Sequence, residues 1–254
     1  MPIFPTLFPG TLWQTNVTVI ATIFLTGLIV FVVLRVGLRR MDMRRPRGLQ
    51  NFIEWAAEFT TNMARETTPT EQTTNFVLPL AFVMLLFLFV ANWLGLIATV
   101  TVHFNPNIHI WGLTPSDLAN SKGDVELFDS PTSNMSMALG LAVMVWIISH
   151  ARGLRHPKQW LKHFYSPSPL AVIEEITNPL THGMRLYGNI FAGEALLSIM
   201  LRAPFAFHWL PWQLPLIVVW LLYSCFIASI QAYVFTILMC LYVGNKSFEG
   251  HANH

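Results

Sequence analysis

Eighteen consecutive residues from Val17 to Leu34, VTVIATIFLTGLIVFVVL, carry no charge, and six arginines follow within the next thirteen positions. A run of that length crosses a bilayer as a helix. Arg35, Arg39, Arg40, Arg44, Arg45 and Arg47 then put its far flank on the cytoplasmic side, or its topological equivalent, and residues 1–16 outside. Apolar runs recur at 76–102, 135–151, 170–201 and 214–243. A chain built this way is confined to integral membrane folds. Its charged fraction agrees, at 11% against about 25% in soluble domains.

Charge between the runs sets the topology. The second run leads out to residues 103–134, which hold four acidic residues and a single lysine, as an external loop does. The third ends on Arg152, Arg155, Lys158 and Lys162, an internal flank. Residues 244–254 then form an internal tail. Between the first two runs, residues 48–68 repeat Leu49, Phe52, Ile53, Ala56, Phe59 and Met63 at helical spacing, with Glu54, Glu58 and Arg65 among them. That stretch is too polar to span. It reads either as an interfacial amphipathic helix or as a small helix packed on the spans.

The expected architecture is all-α and a single membrane domain: five transmembrane helices plus one interfacial helix, without internal repeats. The last two spans, about 32 and 30 residues, would be roughly 45 Å long against about 30 Å of hydrocarbon, so they form a long tilted hairpin. Trp209 and Trp212 in its connector suit interfacial anchoring. Cys225 and Cys240, fifteen residues apart on one helix, are too far apart for a disulfide and read as packing residues. The N-terminus carries no basic region of the kind that precedes a cleavable signal. A net charge of +2 gives no reason to expect a nucleic-acid partner.

The fourth run is anomalous. It carries Glu174, Glu175, His182, Arg185, Asn189 and Glu194, although a charge at mid-membrane costs about 2.5–3.5 kcal/mol on insertion scales. Glu174 and Glu175 lie near the inner end, within reach of the interface; Arg185 lies near the middle. Asn189, four residues on, shares its face. Glu194, nine residues on, turns to the opposite side, so Arg185 has no carboxylate at its own depth on its own helix. The fifth run offers neutral Ser224, Ser229, Gln231 and Tyr233, with Gln231 near the depth of Arg185 and Ser224 near that of Glu194. The hairpin therefore reads as an outer polar cluster, a central fixed cation with two amides, and an inner carboxylate pair. An arginine that never deprotonates interrupts a chain of titratable groups.

These residues carry a resemblance. MRLYGNIFAGE, SIQAYVFTILMCLYVG, FVANWLGLI and SPTSN resemble the subunit a family of rotary F-type ATP synthases over roughly residues 75–244. The resemblance implies a non-catalytic subunit of the F1Fo complex with two offset aqueous half-channels, whose partners are the c-subunit ring, the peripheral-stalk b subunits and the lipid bilayer. Arg185 would face the ring carboxylate, with Asn189 and Gln231 positioning both. Glu194 and Ser224 would belong to the outer half-channel, and Glu174 and Glu175 to the inner one. Ser224 stands where many relatives carry a histidine or an acid. His182 stands where a small or aliphatic residue is expected, and reads either as a relay or as a hydrogen-bond cap. The expected site is the bacterial plasma membrane, or alternatively the mitochondrial inner membrane with an organelle-encoded chain.

No zinc-protease helix motif, Cys/His cluster or phosphate-binding glycine loop occurs, so no metal or cofactor is expected, and Gly188 and Gly193 read as packing positions. Two other classes remain as readings: a secondary transporter, which should show repeats and broken helices, and a haem or quinone subunit using His150 and His182.

Overall fold

The computed structural model describes residues 6–7, 15–39, 48–97, 100–103, 124–128, 130–157, 170–202 and 213–247. Six α-helices account for most of them: α1 (Val17–Gly37), α2 (Leu49–Thr67), α3 (Glu71–Ile97), α4 (Met135–Gly153), α5 (Leu170–Arg202) and α6 (Gln213–Asn245). By length and composition α1, α3, α4 and α6 can each cross a membrane, with mean hydropathies of 2.8, 2.4, 1.4 and 2.0. The 33 residues of α5 are long enough as well, but its charges set it apart. The chain is a helical multi-pass membrane protein.

Local chemistry explains where the helices start. The Asn16 side chain accepts from the Thr18 amide at 3.2 Å and caps α1. Asn134 does the same for α4, accepting from Ser136 and Met137. Along α1 the buried residues Thr18, Thr22, Thr26 and Val30 recur every fourth position and form the stripe turned inward. The hydroxyls of Thr22 and Thr26 donate back to the carbonyls of Thr18 and Thr22, at 3.0 and 2.7 Å, so no polar group is stranded. Phe24, Leu28 and Phe31 line the opposite, exposed side.

The polar stretch at 48–68 is helical and packed on the spans, an arrangement open to an interfacial helix as well. Helix α2 buries Ile53, Ala56, Thr60, Met63 and Ala64 and packs against α3 and α6. Its exposed flank is an aromatic ladder, Phe52–Trp55–Phe59, that continues onto Tyr233 of α6. At Gly37, on the α1 side of this contact, an added Cβ would lie 2.3 Å from Ile53 Cδ1.

The second run needs correction at both ends. Helix α3 begins at Glu71 rather than 76, with Pro79 inside it. It ends at Ile97 rather than 102, because residues 100–103 are a strand. The strand Val100–His103 pairs antiparallel with the strand Asp124–Phe128, with an irregularity between Val100 and Thr101. The apolar run hid this, although alternating β-branched residues in VTVH suit a strand. Residues 6–7 and 15–16 form a second, two-residue antiparallel pair. The all-α expectation thus misses two small sheets. The third, fourth and fifth runs become α4, α5 and α6 with ends moved by one or two residues.

The external-loop reading of 103–134 also changes at its end. Residues 131–133 form a 3-10 turn that is buried against α3, α4 and α5. Ser130 Oγ donates to the Ala91 carbonyl at 3.3 Å, and Thr132 Oγ1 donates to Asn92 Oδ1 at 2.7 Å. The fully buried Asn92 in turn donates from Nδ2 to the Ala228 carbonyl of α6 at 3.1 Å. One amide therefore ties the turn, α3 and α6 together. Asn92→Leu removes both bonds of the amide, to the Thr132 hydroxyl and to the Ala228 carbonyl; the expected cost is about 1–3 kcal/mol, read as a lower unfolding temperature of the detergent-purified chain. An unchanged temperature would show that the amide contributes nothing.

Candidate functional site

The helical pitch of α5 sorts its polar residues onto two faces. Glu174, Thr177, Thr181, Arg185, Gly188, Asn189 and Ala192 are exposed, whereas Glu175, His182, Leu186, Ile190 and Gly193 are buried. The adjacent carboxylates Glu174 and Glu175 are thereby split, one outward and one inward, as a turn of about 100° per residue requires. Expectation treated them as a pair.

Arg185 stands on the exposed face, and among the described residues no carboxylate lies within ion-pair distance of it. One turn on, Asn189 donates from Nδ2 to Oε1 of the buried Gln231 at 2.7 Å. The expected central group is therefore assembled across the α5–α6 hairpin, with the two amides joined to each other. Gly188 lies open between Arg185 and Asn189: a Cβ there would meet nothing within 4 Å. The exposed strip around the cation is thus flat enough for another backbone to approach.

Glycine also sets the outer level. A Cβ at Gly193 would lie 3.5 Å from Ser224 Oγ, and Trp220 Nε1 donates to the Gly193 carbonyl at 3.2 Å. The half-buried Glu194 follows directly in sequence, so the hairpin brings Glu194 and Ser224 to one level, as their depths predict. The buried Ser224 Oγ has no hydrogen-bond partner among the described residues. Just inward of it, Ser229 accepts from Trp93 Nε1 at 2.9 Å and donates to the Cys225 carbonyl at 2.8 Å.

His182 turns to the buried side of α5. Its ring is buried, stacked 3.8 Å from Phe235 and edge-on to Tyr242 at 5.6 Å. Nε2 is buried without a hydrogen-bond partner among the described residues, which rules out that nitrogen as a cap. Cys225 and Cys240 are both buried and free, as their spacing predicts.

The inner end holds what sequence reasoning missed. Glu175 is ion-paired with Lys246, and His150 Nε2 lies 3.3 Å from the same carboxylate oxygen. Three helix ends meet here: the start of α5, the end of α4, and the residue after α6. A cavity of about 30 Å³ opens beside the group, lined by Trp146, Ser149, Glu175, Asn178, Tyr242 and Lys246 among others. That volume accommodates one or two waters. In the sequence His150 and Lys246 are ordinary basic flank residues, and nothing in their spacing marks them. Their pairing with Glu175 appears only once the helix ends are brought together.

The family model described as ATP synthase A chain matches residues 20–244. The chain is 35% identical over 246 residues to ATP synthase subunit a of Enterococcus hirae, covering 93% of this chain and 94% of that protein. It is 35% identical over 244 residues to the same subunit of Oceanobacillus iheyensis, covering 93% and 92%. With that of Limosilactobacillus fermentum it shares 35% over 237 residues, covering 89% and 91%.

Proposed function

The chain belongs to the ATP synthase A chain family, and from that premise we propose that it is the stator channel of its Fo sector, carrying protons to and from carboxylates on a rotating c-subunit ring. It is a non-catalytic membrane subunit of the complex. In this reading α5 is a fifth span, tilted with α6 into one hairpin, and α2 also meets the membrane interface. The membrane is the bacterial plasma membrane, in keeping with the bacterial relatives. The peripheral-stalk b subunits hold the chain against the ring's rotation.

The observation that carries the proposal is Arg185, exposed on α5 and without a carboxylate partner among the described residues. A permanent cation at that depth needs an opposite charge, and the ring carboxylate supplies it. Asn189 and Gln231, bonded to each other, hold the amides beside the passing carboxylate. Protons enter past Glu194 and Ser224, ride the ring, and leave past Glu174 and the cavity at Glu175. His182 lies on the buried side of α5 between these levels and packs the helix rather than relaying protons. Arg185 keeps the two half-channels from joining, because it cannot pass a proton on.

Purification through a tag on this chain in mild detergent tests the assignment. A small two-helix subunit with a mid-membrane carboxylate is expected to co-purify. A photo-cross-linker at Gly188, where added atoms meet open space, is expected to attach to that subunit. Recovery of the chain by itself, or attachment to lipid only, would overturn the assignment.

A further inference from the structure

The half-channel reading gives Glu174 and Glu175 one shared role, but their surroundings differ completely. Glu174 is exposed on the face of Arg185, whereas Glu175 is buried against two basic side chains. Lys246, itself 7% exposed, donates to Glu175, and its Nζ lies 3.1 and 3.0 Å from Nδ1 and Nε2 of His150. A buried charge needs an opposite charge or hydrogen-bond donors beside it. The geometry supplies a cation from a residue just outside the last span.

The seat of Lys246 is well made. Gly244 lets the end of α6 approach the α2–α3 turn so closely that an added Cβ would lie 2.7 Å from the Thr67 carbonyl. The buried Ser247 hydroxyl is 2.6 Å from that of Thr73 in α3. Lys246 is therefore fixed from both sides. Burial lowers the pKa of its ammonium group, and the bond and charge of Glu175 act in the opposite direction.

The tautomer of His150 follows from its neighbours. Nδ1 lies 2.9 Å from the Trp146 carbonyl, which can only accept, so Nδ1 carries the hydrogen and Nε2 the lone pair. Nε2 faces both Lys246 Nζ and the Glu175 carboxylate. A proton arriving on Nε2 forms an ion pair with the Glu175 carboxylate 3.3 Å away; the reverse step returns the proton to water. Among the described residues, the other polar groups lining the neighbouring cavity are Ser149 of α4, Asn178 of α5 and Tyr242 of α6. Arg152, two residues on from His150, is turned over the Phe76 ring of α3 at 4.9 Å.

We propose that Lys246 and His150 are positioning residues of the inner half-channel: Lys246 holds Glu175 in an ion pair, and His150 beside it takes up and releases the proton at the inner mouth. The proposal rests on the stator reading above. The site splits the two adjacent glutamates functionally, with Glu174 toward the ring face and Glu175 tied to Lys246 in the inner cavity.

The test uses the whole complex in inverted membrane vesicles, whose outer solution bathes the inner face. ATP-driven proton pumping is measured against that solution's pH and normalised to uncoupled ATP hydrolysis. Lys246→Met removes the cation from beside His150 and the carboxylate, so the pumping midpoint is expected to move to higher pH by about one unit or more. Lys246→Arg, which keeps the charge, is expected to hold the wild-type midpoint. His150→Gln is expected to flatten the profile. Wild-type midpoints in both Lys246→Met and His150→Gln would overturn the proposal. Should Lys246→Met prevent assembly, His150→Gln alone decides, because it leaves the Lys246–Glu175 pair intact. Arg185→Ala in the same vesicles separates the two levels: wild-type pumping by that variant brings down the stator reading. Its loss at every pH, beside unmoved profiles for the inner variants, brings down this proposal alone.

Discussion

Arg185→Ala is expected to abolish coupled ATP synthesis while the complex still assembles. The argument is one of charge. A guanidinium at mid-membrane costs about 2.5–3.5 kcal/mol to insert, and this one has no carboxylate within reach among the described residues to offset that cost. Its exposed position means alanine there removes no internal contact and opens no cavity, so the fold should persist. What disappears is the fixed cation that attracts a passing carboxylate and separates the two water paths. Synthesis should fall to background in energised vesicles, with the chain still recovered in the purified complex. Arg185→Lys should restore little, because an ammonium lacks the planar fork that meets a carboxylate at two points and can give up its proton when desolvated. Coupled synthesis at near wild-type rate in the alanine variant would remove the mechanistic basis of the whole assignment.

Gly95→Val is expected to give the largest loss of stability. A Cβ on Gly95 would lie 2.1 Å from Ser130 Cβ and 2.7 Å from its Cα, well inside van der Waals contact. The obstruction is backbone, so no rotamer change relieves it. Either the 131–133 turn leaves its seat, breaking the bonds of Ser130 and Thr132 to Ala91 and Asn92, or α3 shifts away from it. Overpacking of this kind costs about 1–3 kcal/mol, and the lost hydrogen bonds add to it. The measurement is the unfolding temperature of the detergent-purified chain, with Gly140→Ala as the contrast. Gly140 lies in α4 with open space where the methyl group would go, so alanine there should be neutral or slightly stabilising. Equal behaviour of the two variants would show that the turn is not seated against Gly95.

Much of the site was legible because its residues violate the composition around them. Arg185 and Asn189 are conspicuous in an apolar run, and helical pitch alone puts them on one face and turns Glu194 away. Depth arithmetic along an antiparallel hairpin paired Gln231 with the centre and Ser224 with Glu194. The Asn189–Gln231 bond and the Gly193–Ser224 contact agree with it. Legibility failed where a residue's neighbours come from helices distant in sequence. Lys246 and His150 look like ordinary basic flank, and only the meeting of three helix ends makes them partners of Glu175. The same limit hid the seating of SPTSN. Its resemblance was visible, but its reason, a serine tucked against Gly95 and a threonine bonded to Asn92, lies in the packing of the turn on α3.

The sequence by itself determined that this chain lives in a membrane and that a permanent cation sits within one of its long apolar runs. Those properties follow from local quantities: the length of apolar runs and the residues that interrupt them. Only the tertiary structure decided that Glu175 turns inward to Lys246 while Glu174 turns out, that α2 packs along α3 and α6, and that the turn at 131–133 is buried. Each of these depends on which helix ends and faces meet. Meeting is governed by close approach at Gly37, Gly95 and Gly244 and by the pairing of buried polar groups, and no single segment carries that information.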